Sequence, residues 1–495
     1  MIRSKRRWPE LRPRRSGQSW DISTRTATVL VLLLAAYYTL PWLLSTQRDW
    51  NLVQKPSWEG AFAGTPEAKT EQICDIDTWL IHHGVIAAPR FRDTLAWWHG
   101  PWAGQVKFYR PIPSYAFWIE WKLFGNHESR YTLLPILLHL AAVGSFVCLS
   151  SALFRYFRLP RPGLTALLSG AIFVDGLYLL GVRQQTNLAV FTAWKNMPES
   201  LVTLFYCLSF RSYLKLVCED EERVAGPPAH PHASRAILCR SWPVLWYLAA
   251  CASKEAGVLL PLLAIVIEWP HLKCRGSELR RAVQRMAPLL AALPMFLLLR
   301  SLFLGTIMGF RYGSNGSWQA RVTDNLAGAL SLDLRSGRYG PVVLGTCLFI
   351  TMSILAAAMQ KPTVRSRDRM LLAALLMSLI TPAVGSLLCN LSVAPGSRPA
   401  VLVMQAVDGG NLPEVAGIAI FLLSVVHVFR FRPLLGIFSY AWILGAVALL
   451  IFTPSAIHRA YLMEGGFAIL AAAGITQWRT ERDVAVPAGQ EQATT

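Results

Sequence analysis

Charge is scarce in this chain of 495 residues. Asp, Glu, Lys and Arg make up 16% of it and hydrophobic residues 53%, whereas soluble domains carry roughly 25% charged residues. With a mean hydropathy of +0.37, the balance excludes an ordinary soluble domain and points to a bilayer. Metal-ligand and disulfide patterns are also lacking. Nine cysteines form no CxxC. Cys148, Cys207, Cys251 and Cys347 fall in apolar runs, and Cys218, Cys239 and Cys274 on the expected reducing side. Only Cys74, and with it Cys389, faces outward, so neither a disulfide framework nor a thiolate metal site is implied. His230 and His232 lie in a proline-rich loop without a third ligand, so no metal site is expected; a divalent-ion requirement stays open. Two similar halves are missing, which weighs against a secondary transporter.

Acidic residues are the rarer sign, 29 against 48 Lys and Arg, for a net charge of +19. A basic chain can signal nucleic acid, but these cations bracket apolar runs and lie on one side of them, so no nucleic-acid partner is expected. They cluster before Arg25, at Arg155 to Arg161, from Lys273 to Arg285, from Lys361 to Arg369, and at Arg430 with Arg432. The positive-inside bias places all of these in the cytoplasm. A hydrocarbon core of roughly 30 Å takes about 20 helical residues, and the apolar runs allow twelve crossings. They are Thr26–Leu44, Tyr131–Phe154, Gly163–Gly181, Ser200–Val217, two arms within Trp242–Trp269, Met286–Leu304, Val342–Met359, Met370–Cys389, Glu414–Phe429, Pro433–Phe452 and Gly466–Thr476. The expected organisation is a basic tail over 1–25, a membrane domain over 26–478 and a disordered cytoplasmic tail over 479–495. Within the domain, 45–129 is a large first extracytoplasmic loop and 218–241 a cytoplasmic linker. The first run is too long for a signal core and lacks a small-x-small cleavage site, so it reads as an uncleaved anchor.

Trp242 to Trp269 tests this topology. As one straight helix it reaches roughly 42 Å, and a single crossing there turns every later basic loop outward. A helical hairpin with its apex at Ser253-Lys254-Glu255 keeps them inside. A charge at the bilayer centre costs about 3 kcal/mol, so Lys254 and Glu255 are expected to face a wet cavity or each other, a structural ion pair being the simpler alternative.

The first loop carries Asp49, Asp75, Asp77, Asp93 and Arg110 with ten Trp or Tyr residues, and closes on Lys107-Phe108-Tyr109-Arg110-Pro111-Ile112. That is the composition of a site rather than of a tether. Membrane-interface anchoring accounts for most of the aromatics, and Ile112 to Phe124 suits an amphipathic helix lying on the membrane.

Three stretches carry a resemblance. Asp77-Thr-Trp-Leu-Ile followed by Tyr109-Arg-Pro-Ile, Ser253-Lys-Glu-Ala-Gly-Val-Leu-Leu-Pro, and Arg459-Ala-Tyr-Leu-Met-Glu-Gly-Gly-Phe stand in the order of their counterparts in the GT-C glycosyltransferases related to protein O-mannosyltransferases. The chain resembles that core without its soluble repeat domain. It departs from the pattern in spacing its acidic pair as Asp75-Ile-Asp77, and in a second outer loop with Thr186-Asn187 and Lys195-Asn-Met-Pro-Glu199. The resemblance implies an all-α polytopic GT-C-like bundle of about 12 transmembrane helices. It further implies a hexosyltransferase that moves a sugar from a polyprenyl phosphate to an acceptor hydroxyl of a protein, lipid or glycan on the extracytoplasmic face. The lipid-linked sugar is a substrate, and no cofactor is implied. Asp77 is the expected general base, with Asp75 next and Asp49 third. Tyr109, Arg110, Lys254, Glu255, Arg459 and Tyr461 are the expected substrate-binding residues, the cations holding the departing phosphate. Capping of a loop helix is the structural alternative for Asp75 and Asp77. A non-enzymatic GT-C-like assembly protein is the main rival function, ahead of a twelve-span transporter. The expected location is the plasma membrane of a bacterium, or the endoplasmic reticulum membrane in a eukaryote.

Overall fold

The structure, a computed structural model, describes residues 21–44, 83–102, 108–125, 130–131, 133–175, 197–225, 233–305, 425–451 and 461–485. No strand occurs among them, as expected of segments that must satisfy their backbone hydrogen bonds internally in lipid. The long helices are α1 (Thr24–Leu44), α4 (Leu133–Tyr156), α5 (Pro162–Asp175), α6 (Met197–Ala225), α7 (Ala233–Ser253), α8 (Leu260–Leu272), α9 (Ser277–Leu304), α10 (Pro433–Ile451) and α11 (Tyr461–Ala485). The first loop contributes α2 (Phe91–Thr94) and α3 (Pro111–Phe124). Four segments are long and apolar enough to cross a membrane: Leu133–Tyr156, Met197–Glu222, Glu255–Leu272 and Ser277–Leu304. The expected runs Val342–Met359 and Met370–Cys389 lie outside the described residues, and Glu414–Phe429 is described only from Val425.

Helix α4 packs on α1, α5 and α6, α6 packs on α7, and α8 joins α9 to α10, which α11 links back to α5. Aromatic side chains fill the centre: Phe146 stacks on Phe173 at 4.4 Å between centroids, and Tyr206 lies against Trp442. The Trp442 indole N–H donates to the Leu462 carbonyl at 2.8 Å, so this ring is not an unsatisfied polar burial.

Two interactions of α6 fix the hairpin's direction. Lys254 pairs with Glu199 at the start of α6, while Tyr213, fourteen residues further, donates to Glu268, fourteen residues beyond Lys254, at 2.8 Å. Helix α8 therefore runs parallel to α6. Helix α7 runs opposite, because Ser209 donates to the Pro243 carbonyl at a point between those levels. The chain ascends in α7, reverses at Lys254 and descends in α8. Lys254 itself is fully extended (φ −162°, ψ 152°) before a 3-10 turn at Glu255–Leu259. Gly257 makes the reversal possible, since a Cβ there would sit 2.6 Å from the Ala250 carbonyl carbon.

Two boundaries differ from expectation. The linker expected over 218–241 is largely helical, because α6 continues to Ala225 and α7 begins at Ala233. The helix that carries the first hairpin arm is consequently 21 residues long, about 31 Å, and extends past the apolar stretch from Trp242 to Ala252 at its start. Past Trp478, where a disordered tail is expected, α11 continues to Ala485. In both places charged residues extend a helix beyond its apolar run, and hydropathy does not register them.

At the end opposite the apex a buried network ties α6, α8 and α9. Arg285 donates to Glu268 through Nε (2.7 Å) and Nη2 (2.6 Å) and to Asp220 at 3.4 Å. His271 lies 3.3 Å from Glu221.

Candidate functional site

The described part of the first loop folds as a small lobe over the apex end of the bundle. Trp97, Trp102, Phe117 and Tyr131 form its buried centre with Met197 of α6, and Leu134 and Leu138 of α4 pack beneath them. Pro111 opens α3, where its missing N–H costs nothing. Directly before it, Tyr109 is buried and stacks on Phe303 of α9 at 6.0 Å. Its hydroxyl donates to the Trp98 carbonyl at 3.2 Å, and burial pushes the phenol's pKa up, which keeps it a donor.

Arg110 follows with its guanidinium between two rings, 4.4 Å from the centre of Phe108 and 4.7 Å from that of Trp102. Such stacking suits a delocalised, weakly hydrated cation. Its Nη2 donates to Glu255 at 2.9 Å. The other oxygen of Glu255 lies 3.2 Å from Arg300 Nη1, and the neighbouring Lys254 is paired with Glu199. Among the described residues, three cations from three separate segments thus meet two carboxylates. Lys254 and Glu255 do not pair with each other, contrary to the simpler structural alternative; alternate directions along the extended backbone send them to different partners.

The hydrogen bonding is incomplete. Arg300 is 2% exposed, and among the described residues its Nε and Nη2, like Nε of Arg110, have no hydrogen-bond partner. Buried N–H groups of a cation are costly to leave unmet, so the arrangement suits an anion that presents several oxygens. A guanidinium fork matches phosphate oxygens in pairs.

Of the residues singled out in the sequence, Tyr109, Arg110, Lys254 and Glu255 are brought together here. Asp49, Asp75, Asp77 and Arg459 lie outside the described residues, and Tyr461 opens α11 with a side chain that is likewise outside them. Two residues escaped sequence reasoning. Arg300 sits inside an apolar run, where its presence was itself the available signal, since an ionisable residue within such a run points to function. Glu199 stood at the end of the second-loop stretch that departs from the GT-C pattern, yet it is buried and supplies the partner of Lys254. No group of His, Cys, Asp and Glu suited to a metal ion occurs among the described residues. No family model matches the sequence, and no curated protein matches it.

Proposed function

We propose that this protein is a polytopic membrane glycosyltransferase of the GT-C type, with about twelve crossings, that moves a sugar from a polyprenyl phosphate to an acceptor hydroxyl on the extracytoplasmic side. The observation that carries the reading is the gathering of Arg110, Lys254 and Arg300 at one end of the bundle with guanidinium N–H groups left to donate to an anion. A position near the ends of α6, α7 and α9, rather than at their middles, favours a lipid head group over a solute bound at mid-membrane.

In this reading the phosphate of the donor lies across Arg110 and Arg300. A carboxylate, Asp77 first and Asp75 next, accepts the proton of the acceptor hydroxyl as its oxygen bonds to the anomeric carbon. The bond from that carbon to the phosphate oxygen breaks, and polyprenyl phosphate leaves with the negative charge, held by the cations. No protonating acid is needed on the leaving side, unlike glycoside hydrolysis. Glu255 holds the two guanidinium planes in place, and Glu199 does the same for Lys254.

The pairing of every cation with a carboxylate also favours the rival reading, a non-enzymatic assembly protein in which the cluster is purely structural. Release of polyprenyl phosphate separates the two. Purified full-length protein in vesicles, supplied with defined polyprenyl-phosphate hexoses and a membrane extract as acceptor pool, is expected to release it with at least one donor. Folded protein that releases none from any donor leaves the assembly reading standing.

A further inference from the structure

We infer that the outer face of the first-loop lobe is a lipid-binding surface, seated in the leaflet beside the cation site with its basic residues at the phospholipid phosphates. The inference rests on the membrane reading of the chain but not on the glycosyl-transfer chemistry. The lobe buries one aromatic face and leaves another open: Ile86, Phe91, Leu95, Trp98, Ile119 and Leu123 are all exposed, Phe91 at 60% and Leu123 at 68%. Water-facing loops seldom display so many large apolar side chains together. They form one surface, because Phe91 rests on Tyr115 and Trp118 of α3, and Ile119 and Leu123 continue the same helix by one turn each.

The height of this surface follows from its neighbours. Leu134 and Leu138, in the opening turns of α4, pack into the lobe's core, whereas Leu137 between them is exposed, as a lipid-facing residue of a crossing helix would be. The lobe is therefore level with the start of the α4 crossing. Its charges fit the same boundary. Arg90 and Arg92 flank Phe91 with side chains 63% and 69% exposed, and Lys122 extends over the Trp118 ring at 5.6 Å. Asp93 engages Arg90 at 3.3 Å and Arg92 at 3.9 Å, so among the described residues the rim keeps an excess of two positive charges. Apolar side chains in the acyl boundary with Arg and Lys at the phosphates is the arrangement of interfacial helices. The seat also reaches the site: the Trp98 carbonyl holds the Tyr109 hydroxyl, so the depth of the lobe in the leaflet sets the height of Arg110 relative to the lipid head groups.

The test places the photocrosslinker p-benzoylphenylalanine at Phe91 or at Leu123 in the full-length protein, reconstituted in vesicles of phosphatidylcholine and phosphatidylglycerol in equal parts. Leu298, exposed on α9, is the control. Mass spectrometry after irradiation is expected to show one-phospholipid adducts at Phe91 and Leu123 as at Leu298. In Arg92→Gln/Lys122→Gln the ratio of phosphatidylglycerol to phosphatidylcholine in the Phe91 adduct should fall about threefold or more, given roughly 1 kcal/mol per surface cation, with the Leu298 adduct unchanged. Crosslinks from Phe91 and Leu123 to a second copy or to another part of the same chain, or no adduct, while Leu298 captures lipid, overturn the lipid seat and leave the membrane reading intact. An unchanged ratio overturns the placement of the cations at the phosphates. Absence of lipid adducts at all three positions overturns the membrane reading, and the inference with it.

Discussion

At the scale of single residues, Arg300 carries the sharpest expectation. Arg300→Lys keeps the charge and a contact to Glu255 but loses the two N–H groups left open by the protein. If those groups grip the donor's phosphate, KM for the donor should rise about tenfold, the ~1.4 kcal/mol of one good contact, with little change for the acceptor. Equal KM values for donor in the two proteins remove Arg300 from the phosphate site. Arg110→Lys should behave alike and also lose the stacking on Phe108 and Trp102. Asp77→Asn tests the base: turnover should fall about 100-fold with donor binding retained, whereas Asp49→Asn should have little effect. Full turnover in Asp77→Asn together with loss in Asp49→Asn moves the base to the residue nearer the first crossing. The legibility of the site follows from how charge stands out. Lys254 and Glu255 interrupt an apolar run as a pair, and Arg110 stands in a distinctive Tyr-Arg-Pro, so all three were readable. The pairing of Glu255 with Arg110, 145 residues away, has no sequence period, because it depends on how α3 and α9 pack on the hairpin.

Among elements, the helices were legible wherever an apolar run approached the length of a bilayer crossing, and their ends were not. Beyond the hydrocarbon, charged residues carry no penalty and helix continues for local reasons, as in α6 past Val217 and α11 past Trp478. The hairpin was legible from charge balance alone, its mechanism was not: the reversal depends on Gly257 fitting against the backbone of α7. Gly257→Ala should therefore cost folded yield and displace Lys254 and Glu255 together, so that loss of activity accompanies loss of thermal stability. The opposite end gives a separate expectation. Arg285→Met removes the guanidinium that Glu268 and Asp220 share in a buried setting, and removing one partner of such a network costs about 3–5 kcal/mol. A drop in the unfolding temperature measured in detergent should follow, and the double change Arg285→Met/Glu268→Gln should recover part of it. A single variant as stable as the native protein shows that the network does not lock the three helices.

For the whole molecule, hydropathy revealed a helical membrane-type chain, and the one-sided arginines suggested its orientation; packing adds that the hairpin apex and the first-loop lobe share one end of the bundle. The lobe and the basic start of α9 stand at opposite ends of that helix, so one experiment fixes both. Arg92 is 69% exposed and Ser277 is exposed at the start of α9, which makes each a suitable site for a single cysteine. Ala88, also in the lobe, is buried and accepts the Trp118 indole N–H at 2.8 Å, so a thiol there would report packing rather than sidedness. An impermeant maleimide applied to intact cells is expected to label Arg92→Cys, and to label Ser277→Cys only after the membrane is opened, with peptide mass spectrometry separating both from the native cysteines. The positive-inside bias requires this sense, because Lys273, Arg275, Arg280 and Arg281 cluster around Ser277. Labelling of Ser277→Cys in intact cells with protection of Arg92→Cys inverts the topology, and would put the cation site on the cytoplasmic face, where an extracytoplasmic sugar transfer has no place.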